Sequence, residues 1–144
     1  MILDDTYAHI CSAMADCSAN TAMTFLTAPE KLASWAVGMG KTKIHEDDLI
    51  EGISPDTGEP IWARISPNWD HHTIYYHLGT NRTNLVPRII IQIVPGDVLQ
   101  KKGKCCIVSM IAWRQENMSN IRWESLKSRH ETEIREVKRL VEGD

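Results

Sequence analysis

Hydrophobic and polar positions change period twice along the chain. Residues 6–11 form the first predicted strand. After it, Ser18 can cap a helix through "ANTAMTFLT", with Ala22, Phe25 and Leu26 at helical spacing. Thr27 and Glu30 stand three apart, the spacing of a capping box. Pro29 suits a first turn, so a second helix, "PEKLASWAV", is expected to run until Gly38 ends it. From Thr42 the pattern becomes period two, broken by turn residues. It predicts strands at 42–46, 48–53, 60–66, 71–78, 87–94 and 104–113, with turns in "SPDTGEP" and "PGDVLQKKGK". Pro60, Pro87 and Pro95 fall at strand ends, where a missing N–H disrupts least. The helical period returns after Ser119, a candidate N-cap. Trp123, Leu126, His130, Ile134, Val137 and Val141 then form one stripe, at steps of three and four. The remaining faces carry Lys127–Glu131, Arg129–Glu133, Glu131–Arg135 and Lys138–Glu142 at i,i+4 spacing. At roughly 22 residues this helix spans about 33 Å, enough to cross a sheet.

Composition narrows the function classes. A length of 144 residues without repeats, low-complexity segments or linkers suits one domain, residues 1–144. The net charge of −3 offers no electrostatic footprint for nucleic acid, and Lys101-Lys102-Gly103-Lys104 reads as a solvated hairpin tip. No apolar run approaches the ~20 residues of a membrane helix, and "MILDDTYAHI" lacks the basic start of a signal peptide. Cys11, Cys17, Cys105 and Cys106 lack zinc-ligand spacing, so reduced thiols and a cytoplasmic location are expected.

The order strand, two short helices, antiparallel strands, long helix accompanies the segment "ADCSANTAMTFLTAPEKLASW". Ala22, Phe25, Leu26, Thr27, Pro29, Glu30, Leu32 and Trp35 follow a pattern that resembles the opening of START-like chains, also called the SRPBCC or polyketide cyclase-like superfamily. The resemblance implies an α+β helix-grip fold, in which a curved antiparallel sheet wraps around the long C-terminal helix and leaves an apolar cavity between them. It also implies binding of a small hydrophobic or aromatic molecule. It carries over no catalytic residues, because members share none.

The stretch "WDHHTIYYHLG", Trp69 to Gly79, holds three histidines. On a regular strand His71 and His77 share a face about 20 Å apart, and His72 points the other way, so no two can hold one metal. No metal site and no cofactor are expected. If 60–66 and 71–78 form a hairpin around Pro67–Asp70, Ser66 lies opposite His71, Ala63 opposite Ile74 and Trp62 opposite Tyr75. One face then collects Ile61, Ala63, Ile65, Ile74, Tyr76 and Leu78, with His72 at its end. The other collects Trp62, Arg64, Thr73, Tyr75 and His77. The aliphatic face is the better inward candidate. In "IIIQIV", Ile89, Ile91 and Ile93 share one face and Arg88, Ile90 and Gln92 the other. In "CCIVSMIAWR", Cys106, Val108, Met110 and Ala112 suit a cavity wall, while Ile107, Ile111 and Trp113 face away.

The expected ligand-binding set is therefore Trp35, His72, Ile74, Tyr76, Met110, Trp123 and His130. Trp35 serves equally as a core anchor, and a lone histidine on an apolar helix face, as at His130, is more often a hydrogen-bonded core residue than a catalyst. Two alternatives stand beside simple binding. One is a cyclase or aromatase in which Tyr76 and His130 exchange protons with the ligand. The other is an interaction module, or a homodimer, using Trp62, Tyr75, His77 and Trp113 on the outer sheet face.

Overall fold

The computed structural model describes residues 7–143. Within them seven strands form one open, curled antiparallel sheet: β1 (Ala8–Ala15), β2 (Lys43–Ile44), β3 (Ile50–Ile53), β4 (Pro60–Asn68), β5 (Thr73–Gly79), β6 (Val86–Pro95) and β7 (Cys106–Trp113), in the order β1-β7-β6-β5-β4-β3-β2. Three helices accompany them: α1 (Ala19–Leu26), α2 (Leu32–Trp35) and α3 (Asn120–Val141). The architecture is the α+β helix grip that the resemblance to START-like chains implied.

The ends of α1 and α3 follow local chemistry. The Ser18 hydroxyl accepts the Thr21 amide at 3.1 Å, and the Ser119 hydroxyl accepts the Arg122 amide at 3.2 Å. The long helix has the 22 residues its pattern predicted and buries Trp123, His130, Ile134, Val137 and Val141. It also buries Glu133, which the pairing pattern had assigned to an outer face.

Several boundaries differ from expectation, each for a physical reason. The first strand runs Ala8–Ala15 instead of 6–11, and Thr6 lies outside the described residues. Every residue of this strand pairs with β7, from Ala8 opposite Trp113 to Ala15 opposite Cys106, so a tertiary partner extends it. The second helix is broken into a 3-10 turn at Pro29–Lys31, the single turn α2, and another 3-10 turn at Val37–Met39. Thr27 does not close a capping box. Its hydroxyl donates back to the Met23 carbonyl at 2.7 Å, ending α1. Between the narrow β2 and β3, Glu46–Asp48 form a 3-10 turn in which Asp47 and Asp48 take φ of 59°.

The central hairpin is shifted by four residues. Trp62 pairs with Gly79, Ala63 with Leu78 and Ser66 with Tyr75, and the turn falls at residues 69–72. A shift of four is even, so the faces survive: Ala63, Ile74 and Tyr76 are buried, and Tyr75 is exposed. Ile91, Ile93, Cys106, Val108, Met110 and Ala112 continue the inner face across β6 and β7. Burial of each large aliphatic side chain here contributes about 1.5–3 kcal/mol.

Tyr76 joins this sheet to α1. Its hydroxyl, fully buried, donates to the Leu26 carbonyl at 2.7 Å, and its ring meets Trp35 edge-on at 5.5 Å. Tyr76→Phe leaves that carbonyl without its donor and is expected to cost about 1–3 kcal/mol in urea unfolding. An unchanged unfolding midpoint would show that α1 is held by apolar contacts alone.

Candidate functional site

The inner face of the sheet, α3 and the broken second helix enclose a cavity of about 460 Å³. Trp35, Ala36 and Met39 cover it from the α2 side. Ile61, Tyr76, Leu78, Ile89 and Ala112 line it from the sheet, and Trp123, Leu126, His130 and Glu133 from α3. Exposed Asp56, Asn84, Trp113 and Arg122 also border it and mark its rim. Such a volume falls within the roughly 300–1,000 Å³ of small-molecule pockets.

Four of the seven residues expected to contact a ligand line this cavity: Trp35, Tyr76, Trp123 and His130. Ile74 and Met110 lie on the same sheet face but are fully buried in the core, away from the lining. His72 is elsewhere. It sits in the β4–β5 turn with φ of 51°, and its carbonyl accepts the Ile93 amide at 2.9 Å. The hairpin shift explains its displacement, because both His71 and His72 fall in the turn instead of on the strand. Among the described residues no group of three or more His, Cys, Asp or Glu side chains could hold a metal ion, and the four cysteines are free thiols.

Tyr76 and His130, the pair expected to exchange protons with a ligand, both line the cavity. The Tyr76 hydroxyl is committed to Leu26, and burial pushes its pKa well above the ordinary phenol value. His130 lies beside His9, ring centroids 6.5 Å apart, and its buried Nδ1 has no hydrogen-bond partner among the described residues. Burial, with the charge of neighbouring His9 and Arg129, lowers its pKa to about 4, so it stays a neutral imidazole.

Glu133 and Arg88 are the residues that pattern reading missed. Glu133 is 5% exposed and accepts the Val37 amide at 2.8 Å. Burial raises its pKa to about 7 despite that hydrogen bond, a second from Gly38 and the charge of Arg129. Arg129, its expected i,i+4 partner, instead donates from Nη2 to both Asp56 carboxylate oxygens, each at 3.0 Å. Glu133 stands seven residues after Leu126, at the edge of the apolar stripe, and that spacing was the available signal. Arg88 had been grouped with Ile90 and Gln92, on the face opposite Ile89, Ile91 and Ile93. Tyr76 pairs with Ile89 but His77 with Pro87, so Arg88 is the extra residue of a bulge. Both Arg88 and Ile89 consequently line the cavity. No local sequence signal announces that bulge.

The outer face is less continuous than its composition suggested. Arg82 lies 5.0 Å over the Trp62 ring and His45 packs at 5.3 Å from it. Tyr75 and His77 sit 6.3 Å apart, whereas Trp113 borders the cavity. A second concavity of about 520 Å³ lies between β1 and the C-terminal half of α3. There Lys138 already bridges Glu142 and the Met14 carbonyl.

No family model matches the chain, and no curated protein matches it. Solved structures do. The Zhui aromatase/cyclase of Streptomyces sp. R1128 superposes with a TM-score of 0.69 at 8% identity, covering 94% of this chain and 93% of that one. A truncated norcoclaurine synthase of Thalictrum flavum gives 0.66 at 13% identity, covering 99% of both chains. A START superfamily protein of Mycobacterium smegmatis gives 0.58 at 10% identity, covering 95% of both. The chain therefore has the START-like helix-grip fold. Among the described residues no helix is long and apolar enough to cross a membrane.

The two displaced pKa values act on stability in opposite directions. With Glu133 near 7 when folded and 4.5 when unfolded, the folded chain holds the proton across that window, so stability falls as pH rises through it. With His130 near 4 folded and 6.5 unfolded, the unfolded chain binds the proton first, so stability rises from pH 4 to 6.5. Urea unfolding at a series of pH values separates them. The stability of Glu133→Gln minus that of the parent should grow with pH between about 4.5 and 7, by on the order of 3 kcal/mol. The difference for His130→Gln should decline by a similar amount over its own window. Flat differences for both would contradict these assignments.

Proposed function

We propose that this chain binds a small, largely apolar or aromatic molecule in the cavity between the sheet and α3. The observation that carries this reading is the cavity itself. It offers about 460 Å³, apolar walls from Trp35, Ile89, Ala112 and Trp123, and a few polar groups among them. The fold shared with an aromatase/cyclase and a START superfamily protein supports it. Trp35 and Trp123 border the cavity with indole rings that are themselves almost wholly buried, which makes that part of the wall apolar.

A second reading, chemistry on the bound molecule, is supported by Glu133. A carboxyl group that gains and loses its proton near pH 7 and lines the cavity is suited to general acid–base work. Native mass spectrometry of the parent and Glu133→Gln, each purified from the same cells, tests it. Bound molecules differing in mass between the two proteins are expected if Glu133 takes part in a reaction. Identical masses would remove this reading and leave binding. The outer-face homodimer has weaker support, because Arg82 already covers Trp62.

Fluorescence titration with the uncharged probe N-phenylnaphthylamine tests the binding reading. The parent should bind it saturably at one site. Filling the cavity with Ala112→Phe from the sheet, or with Leu126→Trp from the helix, should weaken binding at least about tenfold while the far-ultraviolet circular dichroism is kept. Undiminished binding in both folded variants would place the probe elsewhere.

A further inference from the structure

The charges lining the cavity do not cancel. Arg129 is paired with Asp56 through Nη2. The Glu133 carboxyl is turned to the Val37 amide, and Arg129 acts on it while Arg88 does not. Arg88 is left over. It is half-buried, lines the cavity beside Ile89, and among the described residues has no hydrogen bond or ion pair. Arg122 at the rim adds a second guanidinium whose charge no carboxylate offsets among those residues. The whole chain carries −3, so this local positive excess runs against its average charge.

Burial is the cause that depresses the Arg88 pKa, with no anion offsetting it. A guanidinium withdrawn from water loses hydration that only hydrogen bonds to another group can replace. Its planar fork matches a carboxylate in a two-bond contact. The β6 bulge is what turns this fork inward, from a strand position that alternation would otherwise place outside.

Resting on the binding reading above, we infer that the ligand is an apolar or aromatic carboxylic acid whose carboxylate pairs with Arg88. Its apolar body lies against Trp35, Ala112 and Trp123. The carboxylate completes the coordination that the protein leaves open at Arg88. The same apolar body carrying an uncharged amide fits the walls but offers the guanidinium one neutral acceptor in place of a two-oxygen anion.

A matched pair of ligands tests this: naphthaleneacetate and its uncharged isostere naphthaleneacetamide, each competing with N-phenylnaphthylamine. The parent should bind the acid about tenfold or more tightly than the amide, the strength expected of a charge-assisted contact. Arg88→Gln should erase that preference, its affinity for the acid falling about tenfold or more relative to that for the amide. Its thermal stability should be equal to or above the parent's, because it removes a partly desolvated charge that lacks a partner. Equal binding of acid and amide by the parent, or a preference that persists in Arg88→Gln, overturns the assignment with the cavity reading intact. A parent that binds neither compound nor the probe overturns the cavity reading, and this one with it.

Discussion

The hydrogen bond from the Val37 amide to the Glu133 carboxylate, 2.8 Å long, joins the two walls between which the cavity exists. One is the long helix that the sheet grips. The other is the segment after α1, which local propensity would have continued as a helix through Val37. At Ala36 the backbone leaves the helical region, with φ −85° and ψ 94°, and the next amide turns to Glu133. A carboxylate accepting a backbone N–H in a poorly hydrated site makes a strong contact, which is why the chain bends there. The cover of the cavity, with Trp35, Ala36 and Met39, is set by that bend.

The same contact fixes the electrostatics inside. Burial works against the charge of Glu133, and the amides of Val37 and Gly38 with the Arg129 guanidinium only partly offset it, so its proton is shared near pH 7. Three residues earlier on α3, His130 is driven the opposite way by the same burial. An acid and a base on one helix are thereby both held closer to neutrality than water would hold them. Tyr76, by contrast, is a structural hydroxyl, since its one proton is given to the Leu26 carbonyl.

Sheet geometry supplies the other half of the site. The β4–β5 hairpin settles four residues from the pairing that its polar loop suggested, which keeps the face of each side chain but moves His71 and His72 into the turn. The bulge at Arg88 does the reverse. It shifts the alternation by one residue, so that Val86 instead of Pro87 joins Leu78 on the cavity side while both flanks of the bulge stay paired. Periodicity is sensitive to the first kind of error only when the shift is odd, and it is blind to the second.

The sequence by itself determined the order of elements, the capped ends of α1 and α3, and the inner faces of β4, β5 and β7. It also determined the 22-residue length of α3 and four of the cavity residues, Trp35, Tyr76, Trp123 and His130. These follow from spacing along one element, where side-chain direction repeats every 2 or 3.6 residues. Only the tertiary structure decided the break in the second helix, the extension of β1, the hairpin register, the partner of Arg129 and the inward turn of Arg88. Each of those depends on a group from a distant part of the chain competing with a local one: Glu133 for the Val37 amide, β7 for the edge of β1, Asp56 for Arg129. Such competition is settled by distances in space, which residue spacing along the chain does not encode.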